Sequence, residues 1–342
     1  GGYGSNNQGF TAPDGTSVGG QDYGIDQIVP AEKVGGEYIF VKGGGENPWE
    51  NVLLISDQDN TKININGNPY LDSSGNQVVL NTGEFTIIEG DNYSSNGTMY
   101  VSTDDIDNDK VFAFQIIGDN YITTNNGVTN YSQMAARQGM FFVPPLDCGA
   151  KGDVNKIAKI DLVGKSFDEG RVTIITKKTA TISITEDRGP VSLPTPIDVP
   201  KPNDDYVAYI IKNLEGDVKV VGDDELYVAY YNLNSAATTG SFYSGFQTNP
   251  QVGASATFSS LGPCIKFDSS GNIKSNVEFT AKNGSAFDGG LEWQIFDETS
   301  STWIGAPGTN TNDKYVPSQE GRYRLKGVLL CKNQEYYSNS VK

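Results

Sequence analysis

Apolar residues in this chain come in short runs of four to eight, each closed by Asn, Asp or Gly, and no stretch repeats at helical period for three turns. Tyr38–Val41, Asn51–Ser56, Thr61–Asn66, Gln77–Leu80, Phe85–Ile88, Thr98–Ser102 and Val111–Ile116 follow one another in this way. Asp, Asn and Gly favour the backbone conformations of tight turns. The spacing therefore predicts an all-β chain of antiparallel sandwich or barrel-like sheets.

The programme then runs a second time. Gly139–Pro144 stands where Tyr38–Val41 stood, Arg171–Thr176 where Val52–Ser56 stood, and Thr181–Thr185 where Lys62–Asn66 stood. Tyr206–Ile211 and Leu226–Tyr231 answer Phe85–Ile88 and Val111–Gln115, and these last four correspondences share an offset of about 120 residues. The expectation is an irregular leader over 1–20, two copies of one β-module over 21–135 and 136–250 that pack as one unit, a linker over 251–260, and a last domain over 261–342. In that last stretch Trp293 lies between Cys264 and Cys331, with Gly321-Arg322-Tyr323 before the second cysteine. This is the pattern of an immunoglobulin-like sandwich.

Composition narrows the chemistry. The chain has no histidine, so it lacks the imidazole of Ser-His-Asp or Cys-His relays and of His-ligated metals. A carboxylate-pair glycosidase needs no histidine, but no Asp or Glu stands in an apolar run that would raise its pKa to make a general acid. No enzyme is expected and no cofactor is required. The net charge of −17 argues against nucleic acid, whose phosphates demand a basic surface. Residues 259–342 carry nine basic and nine acidic side chains, which places the whole imbalance in the first 258 residues. No run of 18 apolar residues predicts direct membrane insertion. Low cysteine with abundant Asn, Gly, Thr and Tyr suits an extracellular β-protein, and the start reads as a mature form or a piece of a longer chain.

Several stretches carry a resemblance: Val29–Val41, Asp57–Thr61 followed by Ile63–Gly67, Phe142–Cys148, Gly240–Phe246, and in the tail Leu291–Phe296 with Gly321–Tyr323. The chain resembles the large secreted surface proteins of gliding Bacteroidota (flavobacteria), whose amino-terminal part is related to the IgGFc-binding protein amino-terminal domain family and is followed by immunoglobulin-like modules. That resemblance implies a cell-surface or secreted adhesin exported by the type IX route, with further domains in the same long chain. It implies an extracellular surface, a glycan or a protein as the partner, and it carries no catalytic signature.

Candidate sites follow from residue chemistry. Asp104, Asp105, Asp107 and Asp109 crowd one loop and are candidate calcium ligands, because hard carboxylate oxygens at alternating spacing can wrap that ion; a hydrated turn is the alternative. Asp57 and Asp59 form a smaller pair of the same kind. Cys264 with Cys331 is the expected disulfide, leaving Cys148 as a buried thiol; the odd count also allows Cys148 to take one of the other two. Trp49 and Trp303, beside Gly and Pro, and Tyr243 are candidate ligand contacts, against the reading that such aromatics fill the core. The function expected is adhesion or display, with the binding face on the acidic tandem unit and the last domain as a spacer. The alternatives are a stalk segment without ligand and a carbohydrate-binding module.

Overall fold

The computed structural model describes residues 2–4, 10–11, 17–18, 23–25, 29–125, 128–135, 140–161, 169–234, 237–245, 250–257, 276–282 and 284–342. Among these, the regular elements are antiparallel strands and short 3-10 turns, so the all-β expectation holds. The chain divides into two compact units, Gly1–Asp147 with Asp153–Phe246, and Cys148–Gly152 with Gln247–Lys342. No helix among the described residues is long and apolar enough to cross a membrane.

The first unit begins with a two-sheet sandwich. One sheet runs Phe85–Ile88, Val52–Ser56, Val111–Gln115, Phe141–Phe142; the other runs Glu37–Val41, Thr98–Thr103, Thr61–Ile65, Asn68–Pro69. Side chains alternate along a strand, so Tyr38, Phe40, Val52, Leu54, Ile63, Met99, Val101 and Ala113 meet in one core. The Tyr38 hydroxyl accepts from Gly35 N and donates to Val111 O, tying the start of one sheet to the other. Asn66 and Gly67, both at positive φ, make the two-residue turn that folds Thr61–Ile65 back onto Asn68–Pro69.

A second sandwich completes the unit. Its sheets run Ile197–Asp198, Tyr206–Leu214, Glu169–Lys177, Leu226–Asn234, Ala237–Ser244, and Val154–Ile157, Val218–Gly222, Ile182–Glu186, Gly189–Val191. Val172, Ile174, Ile184, Ile211, Val220 and Val228 form its core. The strand order of this half matches that of the first, apart from the added Ile197–Asp198 edge here and the first half's extra strand Val79–Leu80, which pairs with Thr61 and Lys62.

One correspondence read from the sequence is corrected. Phe141–Phe142 does not open the second half but pairs with Val111–Gln115 of the first, and Val154–Ile157 takes the place that Glu37–Val41 holds in the first half. The intervening loop had made the wrong apolar run look equivalent. The leader is not wholly irregular either, since Gly2–Gly4 pairs with Tyr23–Ile25 and Phe10–Thr11 with Ser17–Val18.

The two halves are stacked sheet on sheet. Ile39, Val41, Thr98 and Tyr100 point away from the first core, and Thr173, Ile175, Ala208, Tyr227 and Ala229 point away from the second, yet all are buried. Hydrogen bonds cross at the same positions: Asn96 Nδ2 and Thr98 Oγ1 donate to Asp198 O at 2.7 and 2.9 Å, and Asn203 Nδ2 to Glu37 Oε1 at 3.4 Å. At one end Tyr231 joins the first core, and Phe242 packs 5.6 Å from Phe141.

The second unit is a smaller sandwich. A sheet of Gln251–Thr257, Asn276–Lys282 and Lys314–Tyr315 faces one of Thr302–Gly305, Leu291–Asp297, Tyr323–Leu329 and Gln334–Tyr337. Fully buried Trp293 lies between Phe279 and Tyr315, at 5.7 and 5.9 Å, and its Nε1 donates to Asn312 O at 2.9 Å. Residues 251–257, expected within a linker, instead pair along seven positions with Asn276–Lys282. Small residues there suit a sheet edge as well as they suit a linker.

The expected Cys264–Cys331 disulfide is also corrected. Cys331 is bonded to Cys148, with Cα atoms 6.5 Å apart, and Cys264 lies outside the described residues. The Leu330–Lys332 3-10 turn carries Cys331 off the end of its strand to meet the Cys148–Gly152 segment. That segment is further held by Lys151 Nζ on Asp288 at 3.5 Å. The alternative in which Cys148 takes one of the other two cysteines is the one observed, although the placing of Trp293 between Cys264 and Cys331 favours that pair in the sequence.

Candidate binding surfaces

The acidic turn spends its carboxylates locally. Asp104 receives Asn64 Nδ2 at 2.7 Å and faces Lys62 at 3.5 Å, while Asp105 receives the side chain and backbone N–H of Asn108 at 2.9 and 3.3 Å. The Asn108 side-chain hydrogen bond holds the Asp105 carboxyl below its ordinary value. Asp107 and Asp109 are not drawn in beside them: among the described residues no three His, Cys, Asp or Glu side chains gather as a metal site. Asp59 is used to close a loop, its Oδ1 accepting both Thr82 N and Thr82 Oγ1 at 2.9 Å, which lowers its pKa. The backbone N–H of neighbouring Asp57 donates to Lys110 O at 3.0 Å.

The aromatic candidates separate. Trp49, expected on an exposed loop, is 8% exposed. Pro48 lies in the first turn of a 3-10 helix over Asn47–Trp49, which packs on a second such turn at Gly90–Asn92. The fit is close enough that a Cβ at Gly90 would lie 2.2 Å from Asn47 O. Tyr243 lies on the Ala237–Ser244 strand, and its side chain is outside the described residues. Trp303 also sits on a strand rather than in a loop, and it is half-buried.

Around Trp303 the outward face of the second unit's four-stranded sheet is built from arginines and rings. Register sets Phe296 beside Trp303, Gln294 beside Arg324 and Lys326 beside Tyr337. The Arg324 guanidinium is 4.5 Å from the Trp303 ring centre and 3.9 Å from that of Tyr337, and its Nε donates to Gln294 Oε1 at 2.8 Å. Burial pulls its pKa below the ordinary arginine value. Arg322 lies over Phe296 at 5.0 Å and Trp303 at 5.8 Å. Lys326 bridges Glu292 at 2.6 Å and Glu335 at 3.4 Å, and the Tyr337 hydroxyl donates to Glu335. Each group thus has its geometry set by another, which gives a rigid surface of cation–π pairs.

A second surface was missed by the sequence reading. In the first sandwich the outward side of the Phe85–Ile88 sheet carries two apolar rows across paired strands, Phe85, Ile55, Phe112 and Ile87, Leu53, Phe114, Phe142. Phe85 and Ile87 are 63% and 52% exposed. Leu53, Ile55, Phe112 and Phe114 are half-buried, and Phe114 meets Phe142 edge-on at 5.7 Å. The signal was present in Val52-Leu53-Leu54-Ile55 and Val111-Phe112-Ala113-Phe114: strands apolar at successive positions have two faces to cover, whereas a strand with one solvated face alternates.

Buried polar groups were also missed. Glu225, 4% exposed, accepts the hydroxyls of Tyr206 and Tyr227 at 2.6 and 3.0 Å, with Lys177 Nζ at 3.9 Å. Fully buried Glu50 accepts Gly43 N and Gly45 N at 2.9 and 3.0 Å. Both are satisfied in place and act as structural anchors.

The comparisons add the family. A family model described as IgGFc binding protein matches residues 4–242, most of the chain and nearly all of the first unit. No curated protein matches the chain. With more than half its length covered, this chain belongs to the IgGFc binding protein family.

Proposed function

We propose that the chain is a non-enzymatic adhesion or display segment of a larger secreted, cell-surface protein, holding a protein ligand on its outward sheet faces. The observation that carries this reading is the Arg322–Trp303–Arg324–Tyr337 surface. Trp, Tyr and Arg dominate the energetics of protein interfaces when held rigid, and here each is fixed by its neighbours. Family membership supports binding over catalysis, and the first unit then serves as a stiff two-sandwich support made of two copies of one module. Attachment during gliding, with type IX export, is the setting we infer from the sequence resemblance. A carbohydrate-binding module is less favoured, because two guanidinium groups and Phe296 already lie against the indole that a sugar would stack on.

The test is a panel of extracellular proteins, immunoglobulin Fc first given the family's name, run beside a glycan array with wild-type chain and the variant Trp303→Ala. A protein ligand whose affinity falls about 30-fold or more in the variant, the loss of a hot-spot residue, supports the proposal. Glycan binding lost in the variant would establish the carbohydrate module instead. Retention of nothing in either panel would leave a stalk.

A further inference from the structure

Three cations stand in one row on the sheet face that carries Trp303: Arg322, Arg324 and Lys326, at alternate positions whose side chains share a side of the sheet. Their partners differ. Lys326 lies between two carboxylates, Glu292 at 2.6 Å and Glu335 at 3.4 Å. Arg322 and Arg324 form no salt bridge among the described residues and are held by rings and an amide instead, Arg322 by Phe296 and Trp303, Arg324 by Trp303, Tyr337 and Gln294 Oε1. Glu335 acts on Arg324 only from a distance, because its oxygens are taken by the Tyr337 hydroxyl and Lys326. Stacking engages the flat face of a guanidinium and leaves the N–H donors of its edge for another acceptor. The row therefore holds two oriented cations without counter-charges beside one that is fully matched.

Resting on the reading of this face as a protein-binding surface, we infer that it takes an acidic, extended segment of the partner protein, with two carboxylates at alternate positions seated on Arg322 and Arg324. The spacing fits. Two residues along a strand span about 6.6 Å, and alternate side chains of an extended segment repeat at the same interval. A carboxylate accepts two parallel N–H bonds from one guanidinium, which makes the contact directional as well as strong. The Phe296 N–H donates to Arg322 O at 2.9 Å, so the backbone that carries the first of the pair is fixed by the sheet.

The neighbours of the row limit how much charge the ligand carries. Glu292 and Glu335 flank Lys326, so a polymer charged at every step, such as a sulfated glycan, runs from Arg324 into two carboxylates that repel it. A protein segment with neutral side chains around its two carboxylates avoids them. Tyr337, 36% exposed, and half-buried Phe296 and Trp303 give those side chains apolar contact. Residues 259–342 carry nine charges of each sign, so this stretch sets no net negative field against an acidic partner.

Fluorescence anisotropy with the full chain reads this through three labelled probes: a synthetic peptide with glutamate at two alternate positions and leucine around them, the same peptide with glutamine for glutamate, and a heparin oligosaccharide. The glutamate peptide should bind with a Kd between about 10 µM and 1 mM, and the glutamine peptide about tenfold or more weaker. That comparison uses the wild-type chain alone, so it does not depend on a variant folding. Arg322→Gln and Arg324→Gln should each weaken the glutamate peptide about fivefold or more, with the fold checked by circular dichroism. Arg324→Lys should not restore it, because an ammonium offers a point charge in place of a fork. No binding of the glutamate peptide at 1 mM overturns the inference, as do equal affinities for the two peptides, tighter binding of heparin than of the glutamate peptide, or binding that Arg322→Gln with Arg324→Gln leaves intact. A protein ligand lost in Trp303→Ala but kept in that double variant would likewise overturn it while the protein-binding face stands; a protein panel with no ligand lost in Trp303→Ala removes the face itself.

Discussion

At the residue scale, the positions that matter most are polar groups buried where the sequence reads as an exposed turn. Glu225 is held out of water by two phenols and one ammonium, and the Tyr227 hydroxyl is shared with the backbone at Asp147, whose N–H donates to it at 2.6 Å. Replacing Tyr206 by Phe removes one of these donors without removing the carboxyl group. Urea unfolding should show a loss of about 1–3 kcal/mol, with Tyr206→Phe and Tyr227→Phe together non-additive because they share Glu225. This cluster was not legible in the sequence: Gly222-Asp223-Asp224-Glu225 reads as an acidic turn, and only the fold shows that its last residue turns inward while Asp223 stays out to accept Thr181 N at 2.7 Å. Trp49 failed for a related reason. Pro and Gly around it signal a loop, but the 3-10 turn over Asn47–Trp49 turns the indole inward.

At the element scale, strand existence was legible and partner choice was not. Alternation in Thr61–Ile65 or Ile182–Glu186 identifies a strand from its own residues, because the two-residue period is local. The pairing of Phe141–Phe142 with Val111–Gln115, and of Gln251–Thr257 with Asn276–Lys282, depends on residues far along the chain and leaves no local mark. The disulfide is the extreme case, joining cysteines 183 positions apart. It fastens the Cys148–Gly152 segment to the second unit. Substituting Cys148 by Ser should lower that unit's stability by about 2–4 kcal/mol, seen as a fall in the melting temperature that reducing agent reproduces in the wild type and not in the variant.

At the scale of the whole molecule, the absence of histidine becomes a statement about pH. Side chains that ordinarily titrate near neutrality are missing, so thermal stability should be flat between about pH 5 and 8. Below that plateau, Asp59, Asp105 and Asp223 have folded values lowered by hydrogen bonds to Thr82, Asn108 and Thr181. Their contribution is complete above the ordinary value of 3.8 and is lost as pH falls through the lower folded values. Above the plateau, burial raises the phenols of Tyr38, Tyr93 and Tyr227 beyond their ordinary 10.0. The stability they lend is complete below pH 10 and is lost as pH rises from there toward the folded values. Melting curves across pH should therefore show a plateau with an acid and an alkaline shoulder, and absorbance at alkaline pH should show a class of tyrosines that ionises only on unfolding. The all-β architecture was legible at this scale because composition and turn spacing act over the full length. The second apolar face was legible in runs such as Val52-Leu53-Leu54-Ile55, whereas its exposure was not, because covering a face is a property of neighbours.

The Cys148–Cys331 bond has a further consequence for a chain that is pulled. When tension is applied to the two ends, the covalent load path runs to Cys148, crosses between the sulfur atoms and leaves from Cys331. Residues 149–330 form a closed loop off that path and cannot be drawn out lengthwise while the bond is oxidised. The second half of the first unit and the core strands of the second are thereby spared mechanical extension, and the first sandwich is left to take up the strain.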